Sequence, residues 1–202
     1  MKKALLICAA LLFISSVALA QQLPPLGYIG LYADMEDPGT TPECTVTEPT
    51  EGARDNWCIS VAGETFYMWV WALPGENGMK CAEFAVSYPA SGIFAGTACL
   101  NPAQSVAQGS LAGGLSICFS ECNYDWQWIA VQPIFVMVGT GLVFEIIEHP
   151  TTIPAPVYQF ANCLENYPKE PCILFTNLYV NGDCGPIATE ESSWGAIKDL
   201  FK

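Results

Sequence analysis

Few residues in this chain are of types and spacings that could do chemistry. His149 is the single histidine and stands in Glu148-His149-Pro150. A serine–histidine–aspartate triad would have to use it as base. No G-x-S-x-G elbow accompanies it, so it reads as a loop histidine, and chemistry built on several histidines is excluded. Paired carboxylates could cleave glycosides, and Glu83, Glu145 and Glu148 lie in strand-like segments. A carboxylate among apolar neighbours rises in pKa, which singles out Glu83 and Glu145. With 20 acids in the chain some pair is inevitable, and outward-facing residues on a half-exposed sheet are the plainer reading. Asp34, Glu36 and Asp37, with Glu43 following, could offer oxygen ligands to calcium. Their spacing is not that of an EF-hand loop, so a solvated acidic loop is expected, and no cofactor beyond a Ca2+ ion at Asp34–Asp37 comes into question.

The aromatic ladders carry more information. In Thr65–Leu73 the two-residue period puts Tyr67, Trp69 and Trp71 on one face and Phe66, Met68 and Val70 on the other. Tyr124, Trp126 and Trp128 line one side of a later strand. One face of each strand enters the core, and the other is either covered or an exposed aromatic platform. Flat platforms stack on sugar rings, which makes Tyr67, Trp69, Trp71, Trp126 and Trp128 the candidate ligand-binding residues. The competing expectation is that these rings fill the core or lie beneath long loops.

Ten cysteines are the third signal. Lys2 and Lys3, the apolar run Ala4–Val17 and the small-residue site Ala18-Leu19-Ala20 read as a secretory signal peptide over residues 1–20. Cys8 leaves with it, and nine cysteines remain in an oxidising compartment where disulfides persist. An odd count leaves at least one free or paired between chains. The bridging candidates are Cys44, Cys58, Cys81, Cys99, Cys122, Cys163, Cys172 and Cys184. Local closure suggests Cys44–Cys58 and Cys81–Cys99, with Cys122 reaching the late cluster. The spacings around Cys118, Cys122, Cys163 and Cys172 are not those of a zinc site, and no metal is expected.

The elements that must position these residues are strands. Apolar segments such as Gly27–Ala33, Thr65–Leu73, Met79–Tyr88, Leu115–Ser120, Trp126–Val138, Leu142–Glu148 and Ile173–Val180 recur between turn signals every 8–15 residues, the spacing of an all-β sandwich. The sequence therefore predicts one disulfide-stabilised β-sandwich over residues 21–187, immunoglobulin-like or jelly-roll. A tail over 188–202 contains a short C-terminal helix. Ser192 or Ser193 can cap that helix, and Trp194, Ile197, Leu200 and Phe201 lie along one side of it. So short a helix is not stable alone and must dock or fray.

Composition closes off several functions. Half the residues are apolar (51%) and 13% are charged, which suits a sizeable core and argues against disorder. Loss of Lys2 and Lys3 with the signal peptide leaves five bases against 20 acids, or −15. Phosphate backbones are repelled by such a surface, so no nucleic acid is expected as partner. After Ala20 no apolar run is long enough for a membrane span.

The tail Ser193-Trp194-Gly195-Ala196-Ile197-Lys198-Asp199-Leu200-Phe201, the opening Ile29-Gly30-Leu31-Tyr32-Ala33-Asp34 and the late Asn181-Gly182-Asp183-Cys184 resemble a group of uncharacterised secreted bacterial proteins. These combine a signal peptide, a cysteine-bearing β-sandwich and a tail of the form (T/S)-W-G-x-(I/V)-K-x-L-(Y/F). Trp194, Gly195, Ile197, Lys198, Leu200 and Phe201 match that tail, which is read either as a helix packed on the sandwich or as an export or assembly tag. The resemblance implies no activity. The expected sandwich is also similar in architecture to cohesin-like and carbohydrate-binding modules, and architecture alone does not license function. The resulting expectation is a secreted, non-catalytic protein with an extracellular binding or structural role, its partner a glycan or a surface protein. The alternatives are a carbohydrate-binding module and a two-carboxylate glycoside hydrolase.

Overall fold

The computed structural model describes residues 26–40, 44–46, 56–151 and 158–184. The expected signal peptide and the tail with its expected helix lie outside the described residues, and among the described residues there is no helix. The strands are β1 (Tyr28–Asp34), β2 (Cys58–Ile59), β3 (Thr65–Leu73), β4 (Met79–Ser87), β5 (Ile93–Ala95), β6 (Cys99–Leu100), β7 (Gln104–Ser110), β8 (Gly114–Asn123), β9 (Gln127–Val136), β10 (Leu142–Ile147), β11 (Gln159–Ala161), β12 (Lys169–Pro171), β13 (Ile173–Thr176) and β14 (Leu178–Val180).

They form two sheets. The first runs β13-β1-β3-β9-β5, with β6 also on β9. The second runs β12-β11-β4-β10-β14-β2, with β8 and then β7 on the far side of β4. The core lies between them, as the period of two requires. Leu31, Phe66, Met68, Val70, Ile134 and Val136 of the first sheet meet Ala82, Phe84, Val86, Leu115, Ile117 and Phe144 of the second. Phe66 and Phe144 cross the interface edge to face at 5.8 Å. Asn181 closes one end. Its φ of 56° sits in the left-handed region an asparagine tolerates. Its side-chain oxygen accepts from Val61 N (2.7 Å), and its amide donates to the carbonyls of Val61 and Val138.

Four disulfides staple the sandwich: Cys44–Cys99, Cys58–Cys184, Cys81–Cys118 and Cys122–Cys163. The late partner expected for Cys122 is present. The expected Cys44–Cys58 and Cys81–Cys99 bridges are not formed. β4 and β8 are neighbours with Cys81 directly opposite Cys118, so sheet register makes that bond. Cys44 lies over β6 and meets Cys99. Cys118, left out of the bridging candidates, is therefore bonded, and Cys172, expected to bridge, is the free cysteine among the described residues, buried in the core.

Candidate functional site

The outer face of the first sheet has two ends. At one, Tyr32, Trp69, Trp71, Cys99, Trp128 and Val131 form a second apolar cluster, with Val46, Tyr67, Trp126 and Phe175 packed against it. Strand alternation alone puts Trp128 and Val131 on opposite faces. A bulge reconciles them: Val70 faces Ala130 and Trp71 faces Trp128, leaving Ile129 as the extra residue. Trp128 thereby packs edge to face on Trp69 at 5.5 Å, with Trp71 beside it at 6.1 Å. Trp69 is 0% exposed, and its Nε1–H has no hydrogen-bond acceptor among the described residues.

The segment after β1 covers this end. Asp37 shapes it by accepting hydrogen bonds from Gly39 N (2.9 Å), Thr40 N (2.7 Å) and Thr40 Oγ1 (2.9 Å). Thr40 is buried, Val46 packs on the rings, and the Cys44–Cys99 bridge pins the segment down. The exposed aromatic platform is thus corrected. Trp69, Trp71 and Trp128 are buried, so their rings are not laid open for a sugar, and Tyr67 and Trp126 are half-buried. The acidic residues beside this segment bond to their own backbone. Asp37 is committed to its own loop and Asp34 accepts from Glu36 N at 3.1 Å. Among the described residues no group of three His, Cys, Asp or Glu is placed to hold a metal ion.

The other end of the face is open. Phe94 on β5 is 69% exposed and sits directly opposite Phe135 on β9, itself 40% exposed. Met137, two residues on, is 58% exposed. Half-buried Pro133 and Tyr67, paired across β9 and β3, join this patch to the covered tryptophans. The sequence reading missed it. The run Ile134–Met137 is apolar on both parities, which is the signal that its outer residues also sit on an apolar surface.

Titratable groups do not converge. Glu83 is held by Lys169 Nζ (2.9 Å) and by Gln159 Nε2 (2.6 Å). Glu145 and Glu148 are exposed. His149 Nε2 lies 3.4 Å from Ser116 Oγ, and its Nδ1 contacts Thr151 rather than a carboxylate. A cavity of about 410 Å³ opens between the sheets beside Tyr88, Ala98, Leu100, Leu111 and Gln132, with neither acid nor base in its lining. Within it the Tyr88 hydroxyl donates to Gln132 Oε1 (2.5 Å), and Gln132 Nε2 donates to Gly96 O (2.6 Å).

Burial raises the pKa of Tyr88 well above its ordinary 10.0 and that of Cys172 well above 9.0. Tyr67 is raised too, by burial and then by the Asp37 carboxylate. Each group ionises more readily in the unfolded chain than in the folded one. Its contribution is therefore complete below the unfolded value and is lost as pH rises past it. Urea midpoints are expected to hold through neutrality and to fall from about pH 9 upward. The fall is shallower for Tyr88→Phe. A flat profile to pH 11, roughly a unit beyond the free tyrosine value, would show these groups to be solvated.

No family model and no curated protein matches the chain. Solved structures share its fold. A cohesin module from a Clostridium perfringens family 33 glycoside hydrolase aligns over 78% of this chain and 98% of its own, with TM-score 0.51 and 7% identity. A type II cohesin domain from the cellulosome of Acetivibrio cellulolyticus aligns over 79% and 97%, with TM-score 0.51 and 12% identity. The second type II cohesin module of the cellulosomal adaptor ScaA scaffoldin of the same organism aligns over 78% and 97%, with TM-score 0.50 and 13% identity. At these identities the similarity is one of fold: a cohesin-like β-sandwich.

Proposed function

We propose that this chain is a secreted, non-catalytic β-sandwich that binds a protein partner outside the cytoplasm through the open end of its first sheet. The observation that carries this reading is the exposed patch of Phe94, Phe135 and Met137 on a face whose other end is sealed. Rigid aromatic side chains on a strand scaffold offer large contact area at small entropic cost, and contiguous exposed apolar surface marks interaction sites. The four disulfides suit an oxidising compartment. The cohesin-like fold supports a binding module, since similar folds serve as modules of a cellulosome. The buried tryptophans and the acid-free cavity weigh against a sugar platform and a two-carboxylate hydrolase.

Photo-crosslinking tests this. Benzoylphenylalanine at position 94, irradiated in cultures of the cells that secrete the protein, is expected to give a protein adduct. The same group at Glu145, on the other sheet, is expected to give none. Adducts at 145 alone, or a glycan ligand lost in Phe94→Ala, would replace the reading.

A further inference from the structure

Between Glu83 and Glu121 the chain holds no charged residue, although its net charge is −13. That stretch builds one border of the sandwich, and its outermost strand is β7, Gln104–Ser110. Among the described residues β7 pairs with β8 alone, so its other edge presents backbone donors and acceptors that no described strand takes up. From Ser105 onward every residue of β7 is exposed, Val106 at 62%. Its register is irregular only between Gln104 and Val106, and Gly109 (φ 91°) turns it into the hairpin.

Free edges invite strand pairing, and proteins blunt them with short strands, lysine, proline or charge. The other borders here carry those devices. β12 is Lys169-Glu170-Pro171; β2 and β6 have two residues, β5 three and β13 four. β7 has seven residues, with no proline and no charge, and its one irregularity lies at the Gln104 end, leaving Val106–Ser110 in regular register.

We propose that β7 pairs antiparallel with β7 of a second copy of this chain, joining two second sheets across a two-fold axis. Charge selects that occupant. Two mature copies at −15 repel through acidic surface, and the uncharged border is where they can approach without facing carboxylates. An uncharged strand is also its own complement under two-fold symmetry. This inference does not rest on the protein-binding patch, which lies on the other sheet.

Sedimentation equilibrium of the full mature chain tests it. A reversible dimer is expected, and its dimer fraction should rise with salt as repulsion is screened. Val106→Lys, at an exposed side chain, is expected to weaken the dimer about tenfold or more. Val143→Lys, at an exposed side chain on β10 inside the same sheet, should leave it unchanged. Amide exchange at the alternate β7 residues whose N–H groups point away from β8 should slow with increasing protein concentration. A monomer at all concentrations, a dimer indifferent to Val106→Lys, or β7 amides unaffected by concentration would overturn the proposal. A folded Val106→Lys monomer beside a Val143→Lys dimer supports it.

Discussion

Trp69→Ala is expected to cost about 3–5 kcal/mol of folding stability, the range of large aromatic truncations in a packed core. Trp69 is fully buried between Trp71 and Trp128, on the outside of the first sheet rather than between the sheets. If the covering segment were a loose flap, alanine there would cost little, because the flap would settle into the space. The full cost requires that the cover hold its shape. The indole N–H has no acceptor to lose, so ring volume is the dominant quantity, and Trp69→Phe is expected to cost well under half as much. Urea denaturation with the disulfides intact measures both. Near-equal losses would show that a polar interaction at Nε1 dominates.

Removing the Cys44–Cys99 bridge as Cys44→Ser with Cys99→Ser is the second large effect. The cysteines are 55 residues apart, and chain entropy alone gives about 4 kcal/mol for a loop of that length. The variant is also expected to bind a hydrophobic dye in its native state, because the bridge holds Cys44 and, two residues on, Val46 over the tryptophans. Cys81→Ser with Cys118→Ser is the matched control. Its bridge joins adjacent strands of the other sheet over a separation of 37. A similar loss of stability is expected there, without dye binding. Equal dye binding in both variants would mean that general loosening, not uncovering, is responsible.

Much of the fold was legible because strand alternation is a local property. Thr65–Leu73 is β3 at the predicted boundaries, with Phe66, Met68 and Val70 inward and Tyr67, Trp69 and Trp71 outward. What failed depends on which strands become neighbours. Cys81 pairs with Cys118 because β4 lies beside β8, and chain proximity carries no knowledge of that adjacency. β7 escaped notice because Gln, Ser and Gly alternate with no apolar period. A border strand with both faces exposed has no reason to show one. The predicted strand Ile173–Val180 is two strands in different sheets, β13 and β14, because the chain crosses between sheets at Asn177. The candidate site was half legible. The aromatic face was foreseen, but its cover arises from a disulfide between distant segments, and its open end from strands β5 and β9 placing Phe94 opposite Phe135.

That the tryptophan stripe is closed, leaving binding to the open end, is tested most directly by hydrogen exchange at the indole N–H groups, followed by NMR on the mature oxidised protein. Trp69 and Trp71 have buried Nε1 atoms and are expected to exchange far more slowly than half-buried Trp57. Exchange of Trp69 and Trp71 as fast as that of Trp57 would contradict a sealed stripe and make the tryptophan face itself the binding surface.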